Sequence, residues 1–268
     1  MNPKVVAGYL FVVAVTVFFL APFVWLFLSS VDPRASLDFA IPASLTAKHY
    51  LDVFTGRTLR WIVNSTVISI VSATLDTLLA VLAAYSLTRY RFRGQGALVN
   101  MFMILRLMPA MVVLIPIIVA FARVGLLNTH LGVILVISAL TLPFSVMIAS
   151  NYLETMPTEY EEAAMVEGCT RFMAFMRITV PLALPGLATI WILSFVVAWG
   201  EFLVPLLLLR SPDLYPVSVG IYMVFGEHGS VNYGMLSALS VVYSLPVVAA
   251  FVVTKKYLTR GISGLVTR

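Results

Sequence analysis

The sequence predicts an all-α integral membrane protein of six transmembrane helices, and three observations carry that prediction. Apolar residues make up 61% of the 268 positions and charged residues only 11%, against about 45–50% and about 25% in soluble domains. Mean hydropathy is +1.01. Six segments are long, apolar and nearly free of charge, each exceeding the roughly 20 residues that a helix needs to cross about 30 Å of hydrocarbon. Residues 1–268 read as a single transmembrane domain.

The first segment, 5–29, carries no charge. Its apolar run is too long for a signal peptide and no A-x-A-like site follows, so it reads as a retained span. The second, 61–88, carries only Asp76, and the third, 97–122, only Arg106. The fourth, 131–153, has no charge, the fifth, 180–209, only Glu201, and the sixth, 231–254, none. Pro109, Pro116, Pro143, Pro185, Pro205 and Pro246 fall inside these spans. They fit kinked helices around a pathway, and equally the ordinary composition of membrane helices. Lys and Arg set the orientation. With the N-terminus in the cytoplasm, ten of the 17 basic residues lie on the cytoplasmic side, six lie outside, and Arg106 lies within a span. The cluster "RYRFRG", starting at Arg89, is the strongest anchor. Both termini are expected in the cytoplasm. The net charge of +5 belongs to this asymmetry rather than to nucleic-acid binding. The single cysteine, Cys169, excludes an intrachain disulfide, and three scattered histidines offer no metal cluster.

Five of the twelve acidic residues fall within fourteen positions: Glu154, Glu159, Glu161, Glu162 and Glu167. The segment 157–181 predicts a helix–glycine–helix elbow at the cytoplasmic face. Thr158 with Glu161 three residues later predicts a capping box. Glu159 and Glu161 suit the positive end of the helix dipole. Gly168 is expected to end the first helix in a left-handed conformation. Thr170 starts a second helix whose Phe172, Phe175, Met176 and Thr179 share an apolar face, and Pro181 ends the unit. Glu162, followed by Ala163 and Ala164, is left without a local task. The small-residue, acidic tip suits docking into another protein.

That pattern is specific. Glu162-Ala163-Ala164, then Gly168, Ile178 and Pro181, has the spacing of the EAA loop, with Val180 where the motif has Leu. The chain thereby resembles the permeases of binding-protein-dependent ATP-binding-cassette (ABC) importers. Further stretches are similar to the carbohydrate branch, the maltose-permease second-subunit type: "NSTVISIVSATLDTLLAVLAAYSLTRYRFRG", "LIPIIVAFARVGLLNT", "AWGEFLVPLL" and "YLTRGISGLVTR". Gly200 stands where an Asn commonly precedes Glu201. The resemblance runs from about Asn64 to the end of the chain. It implies the type I importer permease fold in a bacterial or archaeal cytoplasmic membrane. It also implies four kinds of partner: a second homologous permease, a dimer of ATPase subunits, an extracytoplasmic binding protein and the lipid bilayer. The elbow becomes a coupling helix between the fourth and fifth spans, seated in the ATPase subunit. Glu162 pairs there, with Ala163, Ala164 and Gly168 shaping the fit. ATP and Mg belong to the partner ATPases. This chain has no GxxxxGK[ST] loop, binds no cofactor and is not itself an enzyme.

Ionisable residues within the membrane are candidate functional groups. Asp76 and Arg106 lie at similar depths on antiparallel spans, which predicts an ion pair; contact with substrate is the other reading. Glu201 beside Trp199 and Phe202 places a carboxylate next to aromatic rings, an arrangement suited to sugar hydroxyls and ring faces; an interhelical polar contact is the plain alternative. The outer segment 210–232 resembles the family loop that reaches the binding protein, which assigns contact to Tyr222, Phe225, Gly226 and Gly229. The function expected is import of a sugar, with a di- or oligosaccharide first and a polyol or glycerol phosphate behind it. A proton- or sodium-coupled secondary transporter is the alternative class. Asp76 and Glu201 alone are too few for its carboxylate relays.

Overall fold

The computed structural model describes residues 3–38, 41–226 and 231–263, with side chains for all of these except residues 3, 106, 110, 225–226 and 255–263. The described residues are helical, with no strand among them. Helix α1 spans Pro3–Ser30 and the short α2 spans Lys48–Val53. Helix α3, Gly56–Arg89, is the longest at 34 residues. Helices α4 (Gln95–Leu107) and α5 (Ala110–Val124) follow, then α6 (His130–Glu154). The elbow holds α7 (Glu159–Val166) and α8 (Arg171–Ala174), and a π-helical turn over Phe175–Thr179 leads into α9 (Val180–Gly200). Helices α10 (Leu203–Leu208), α11 (Val217–Gly226) and α12 (Tyr233–Ser263) complete the chain. Among the described residues, five stretches are long and apolar enough to cross a membrane: Lys4–Ser30, Gly56–Arg89, His130–Glu154, Arg171–Gly200 and Tyr233–Thr254.

The segment expected to form one span over 97–122 is instead two helices. Pro109 lacks an amide hydrogen, and its ring drives the preceding residue out of the helical region. Met108 accordingly sits at φ −72°, ψ 131° and Pro109 at φ −58°, ψ 130°. Pro116, Pro143, Pro185 and Pro246 remain inside helices. The span expected over 180–209 is also broken, at Glu201 and Phe202. Pro181 does not close the elbow as expected. It lies just past the π-helical turn, and the helix runs on from Arg171 into the span.

Three helices, α3, α6 and α9, pack against one another at the centre, while α1 lies outside them along α12. The packing follows from the face that α3 presents. Ser65, Ser69, Ser72, Asp76, Ala80 and Ala84 recur at three- and four-residue spacing, and all are buried. Small residues on one stripe let helix backbones approach where lipid supplies no hydrophobic drive. Hydrogen bonds cross the contact. Ser138 Oγ donates to the Ser72 carbonyl at 3.2 Å. Ser145 Oγ on α6 donates to Asp76 Oδ2 at 2.5 Å, and Ser194 Oγ on α9 donates to the same oxygen. One fully buried carboxylate therefore joins three helices. Its Oδ1 takes no hydrogen bond among the described residues; the side chain of Arg106, its expected partner, lies outside them.

Replacing Asp76 by Ala strands two buried hydroxyls and should cost about 2–4 kcal/mol, at about 1–2 kcal/mol per lost acceptor. Asp76→Asn keeps an acceptor oxygen and should cost clearly less. Thermal unfolding of the purified protein in detergent reads the difference.

Candidate functional site

The elbow is built by local rules and then locked by distant ones. Glu167 caps α7 and Gly168 follows at φ 90°. The Gly168 amide donates to the Met165 carbonyl at 3.1 Å and the Cys169 amide to the Ala164 carbonyl at 3.0 Å. That pair of bonds is the Schellman arrangement, and only glycine adopts its left-handed residue without strain. Thr170 caps the second arm, its hydroxyl accepting from the Met173 amide. The apolar face expected on this arm is only half formed: Phe175 and Thr179 are buried, while Phe172 and Met176 are exposed.

The capping box does not form. The Thr158 side chain makes no cap bond, and Glu161 turns the other way. Its carboxylate accepts from Arg89 Nε at 2.9 Å and from the Tyr85 hydroxyl at 2.8 Å. Arg89 Nη2 also donates to the Met156 carbonyl at 3.1 Å. The two charged side chains are 8% and 9% exposed. A charge-assisted bond in a dry setting is roughly twice as strong as a neutral one, so the guanidinium outcompetes a backbone amide for this carboxylate. Tyr85 also packs on Phe175, ring centroids 4.5 Å apart, and the Arg171 guanidinium lies 5.0 Å from the centre of the Tyr90 ring. The end of α3 thus holds both arms of the elbow.

What this leaves outward is a compact tip. Glu159, Glu162, Ala163 and Gly168 are exposed, Ala164 is half-buried, and Val166 is 88% exposed. An apolar side chain this bare beside carboxylates and small residues is a surface that can be covered by a partner. The buried and exposed glutamates are neighbours in sequence, and helix phase alone separates them. Sequence reasoning missed the role of Glu161 because Arg89 reads equally well as a membrane-surface anchor.

The residues assigned to a pathway lie at the other end of α9. Glu201 sits at the helix break rather than within a span. Its Oε1 accepts from the Leu203 and Val204 amides at 2.9 and 3.1 Å, starting α10. Trp199 is 3% exposed, which leaves almost no ring surface for a sugar. Its indole donates to the Tyr243 carbonyl, and the Tyr243 hydroxyl returns a bond to the Trp199 carbonyl. Trp191, Phe195, Trp199 and Tyr243 stack in sequence with centroids 5.5–5.8 Å apart. Phe202 is half-buried against Tyr222, which is 60% exposed on α11.

The outer segment expected as a loop is largely packed over residues 214–221. Val217 and Val219 are fully buried. Trp61 donates to the Pro212 carbonyl, and Asn64 to the Asp213 and Tyr215 carbonyls. Arg57 and Arg60 face Asp213 at 3.7 and 3.3 Å. Of the residues assigned there, Tyr222 is placed as above. Phe225 and Gly226 close α11, and the Phe225 side chain and all of Gly229 lie outside the described residues.

The described residues thus form a bundle of apolar helices with a charged elbow pinned between its central members. The family described as the binding-protein-dependent transport system inner membrane component matches residues 76–263, and the chain belongs to it. It is 31% identical over 264 residues to the arabinooligosaccharides transport system permease protein AraQ of Halalkalibacterium halodurans, covering 96% of this chain and 92% of that one. It is 30% identical over 249 residues to the sulfoquinovosyl glycerol transport system permease protein SmoH of Agrobacterium fabrum, covering 91% and 87%. Its fold is similar to a bacterial ABC transporter involved in the import of the acidic polysaccharide alginate. The TM-score is 0.81 at 22% identity, over 96% of this chain and 98% of that one.

Arg89→Ala leaves a buried carboxylate unpaired and should weaken docking of the elbow by about 3–5 kcal/mol. Limited proteolysis should then cut within residues 155–170 at a protease level that leaves the native chain whole. Glu201→Ala removes a cap and should cost about 1 kcal/mol, whereas Glu201→Gln retains the acceptor and should cost only a few tenths; melting temperatures in detergent test both.

Proposed function

We propose that the chain is the membrane-spanning permease subunit of an ABC importer for a sugar, with a di- or oligosaccharide as cargo. Family membership supports the importer class. The two named relatives, permease proteins of arabinooligosaccharide and sulfoquinovosyl glycerol transport systems, support a sugar as cargo. A coupled secondary transporter, the alternative class, does not fit a binding-protein-dependent family. In this reading α4 and α5 together make the third of six crossings, broken at Pro109. The elbow end is cytoplasmic, as the cluster of Arg89, Arg91, Arg93, Arg171 and Arg177 around it supports. Both termini lie on that side.

The observation that carries the coupling role is the exposed Glu162 and Ala163, beside the half-buried Ala164, on a helix whose neighbouring glutamate is buried. Small residues let an ATPase surface approach closely, and one exposed carboxylate fixes the register of the fit. A second permease completes the passage, ATP and Mg are held by the ATPase dimer, and a binding protein delivers cargo to the outer face that carries Tyr222. This chain supplies helices and a joint, not hydrolytic chemistry.

An affinity-tagged permease expressed with its cognate subunits should retain an ATPase through purification. Glu162→Ala should lower that affinity by about 2 kcal/mol, roughly thirtyfold, while Glu159→Ala should change it little. Equal losses from the two variants would sink the assignment of Glu162.

A further inference from the structure

The geometry points to Glu161 as a positioning residue of the coupling path: held by Arg89 and Tyr85, it ties the helix bearing Glu162 to α3. Displacement of the elbow is thereby passed to the crossing of α3, α6 and α9. This rests on the importer reading above and adds a second residue, with a different task, to the joint.

Helix α7 has little else to hold it. Glu161 is its single buried residue, and Val166 at its far end is almost wholly exposed. No apolar side chain of α7 is sunk into the bundle, so the carboxylate is the peg. The second arm is fastened to the same place by Phe175 on Tyr85 and Arg171 over Tyr90. Both arms converge on Tyr85, Arg89 and Tyr90 at one end of α3. Further along the same helix, Asp76 accepts from Ser145 of α6 and Ser194 of α9. A push on the tip therefore has a continuous route through bonded groups into the three central helices. An exposed ion pair would make a poor link, because water replaces its bonds at little cost. This pair is shielded from water on both sides.

The Glu161 and Glu162 tasks are separable. Glu162 is exposed and free to meet a partner, while Glu161 is buried against α3. A merely stabilising pair and a transmitting pair differ in what their loss changes. The first would release the ATPase from the complex, and the second would leave it bound but disconnected.

The test uses the whole complex in lipid nanodiscs, with Cys169→Ser and spin labels at Leu59→Cys on α3 and Leu45→Cys on the stretch between α1 and α2. The probe is MgATP with orthovanadate, and the readouts are the inter-label distance change and the ATPase retained. Glu161→Gln should keep the ATPase bound and reduce the distance change at least fivefold. Tyr85→Phe, which deletes one hydroxyl and keeps the ring on Phe175, should reduce it about twofold, and it serves if Glu161→Gln fails to insert. The exchange Glu161→Arg with Arg89→Glu should restore at least half of the native change. An undiminished change in Glu161→Gln, loss of the ATPase in step with the change, or no recovery in the exchange variant would overturn the positioning role. A native complex that binds no ATPase would overturn the importer reading as well, which separates the two failures.

Discussion

A carboxylate shut away from water has only the protein itself for partners, and that constraint orders both the helix bundle and the elbow at its end. Asp76 and Glu161 are the two places where that requirement bites. Each is buried, and each collects donors from distant parts of the chain. Asp76 gathers hydroxyls from α6 and α9. Glu161 gathers a guanidinium and a phenol from the end of α3. An unpaired charge in such a setting is expensive enough that these contacts dictate which helices touch and where.

Helix α3 is the common element. Its stripe of serine, aspartate and alanine brings α6 and α9 close, and its last turns hold the elbow. Small side chains and one carboxylate along a single face do what bulky apolar residues do in a soluble core, because close backbone contact and interhelical hydrogen bonds replace the hydrophobic drive. The elbow then needs little core of its own. Its first arm can leave Glu162, Ala163 and Val166 in the open because a neighbour in sequence carries the attachment. That division lets a short helix be firmly placed and still offer most of its surface to another protein.

The outer end is organised differently. Stacked rings from Trp191 to Tyr243 join α9 to α12, and a carboxylate restarts the chain after the break at Gly200. The segment beyond Arg210 is pulled down by Trp61, Asn64 and Asn128. The result is a packed rim on which Tyr222 is exposed.

By itself the sequence determined what depends on neighbours along the chain. Long apolar runs demand helices because no other backbone satisfies its own polar groups in lipid. Gly168 and Thr170 mark the ends of the two elbow arms because turn and cap bonds are local, and the spacing of Glu162, Ala163, Ala164 and Gly168 marked the family. Tertiary structure alone decided the rest. Which of three nearby glutamates faces inward depends on a guanidinium 72 residues away. Pro109 breaks its helix while Pro143 and Pro185 stay within theirs, a difference that the residue type alone does not give. The partners of Asp76 are serines on two other helices, and nothing about an uncharged serine in an apolar run announces which carboxylate it will meet. Contacts between distant segments are fixed by packing, and packing is decided only when all the helices are in place.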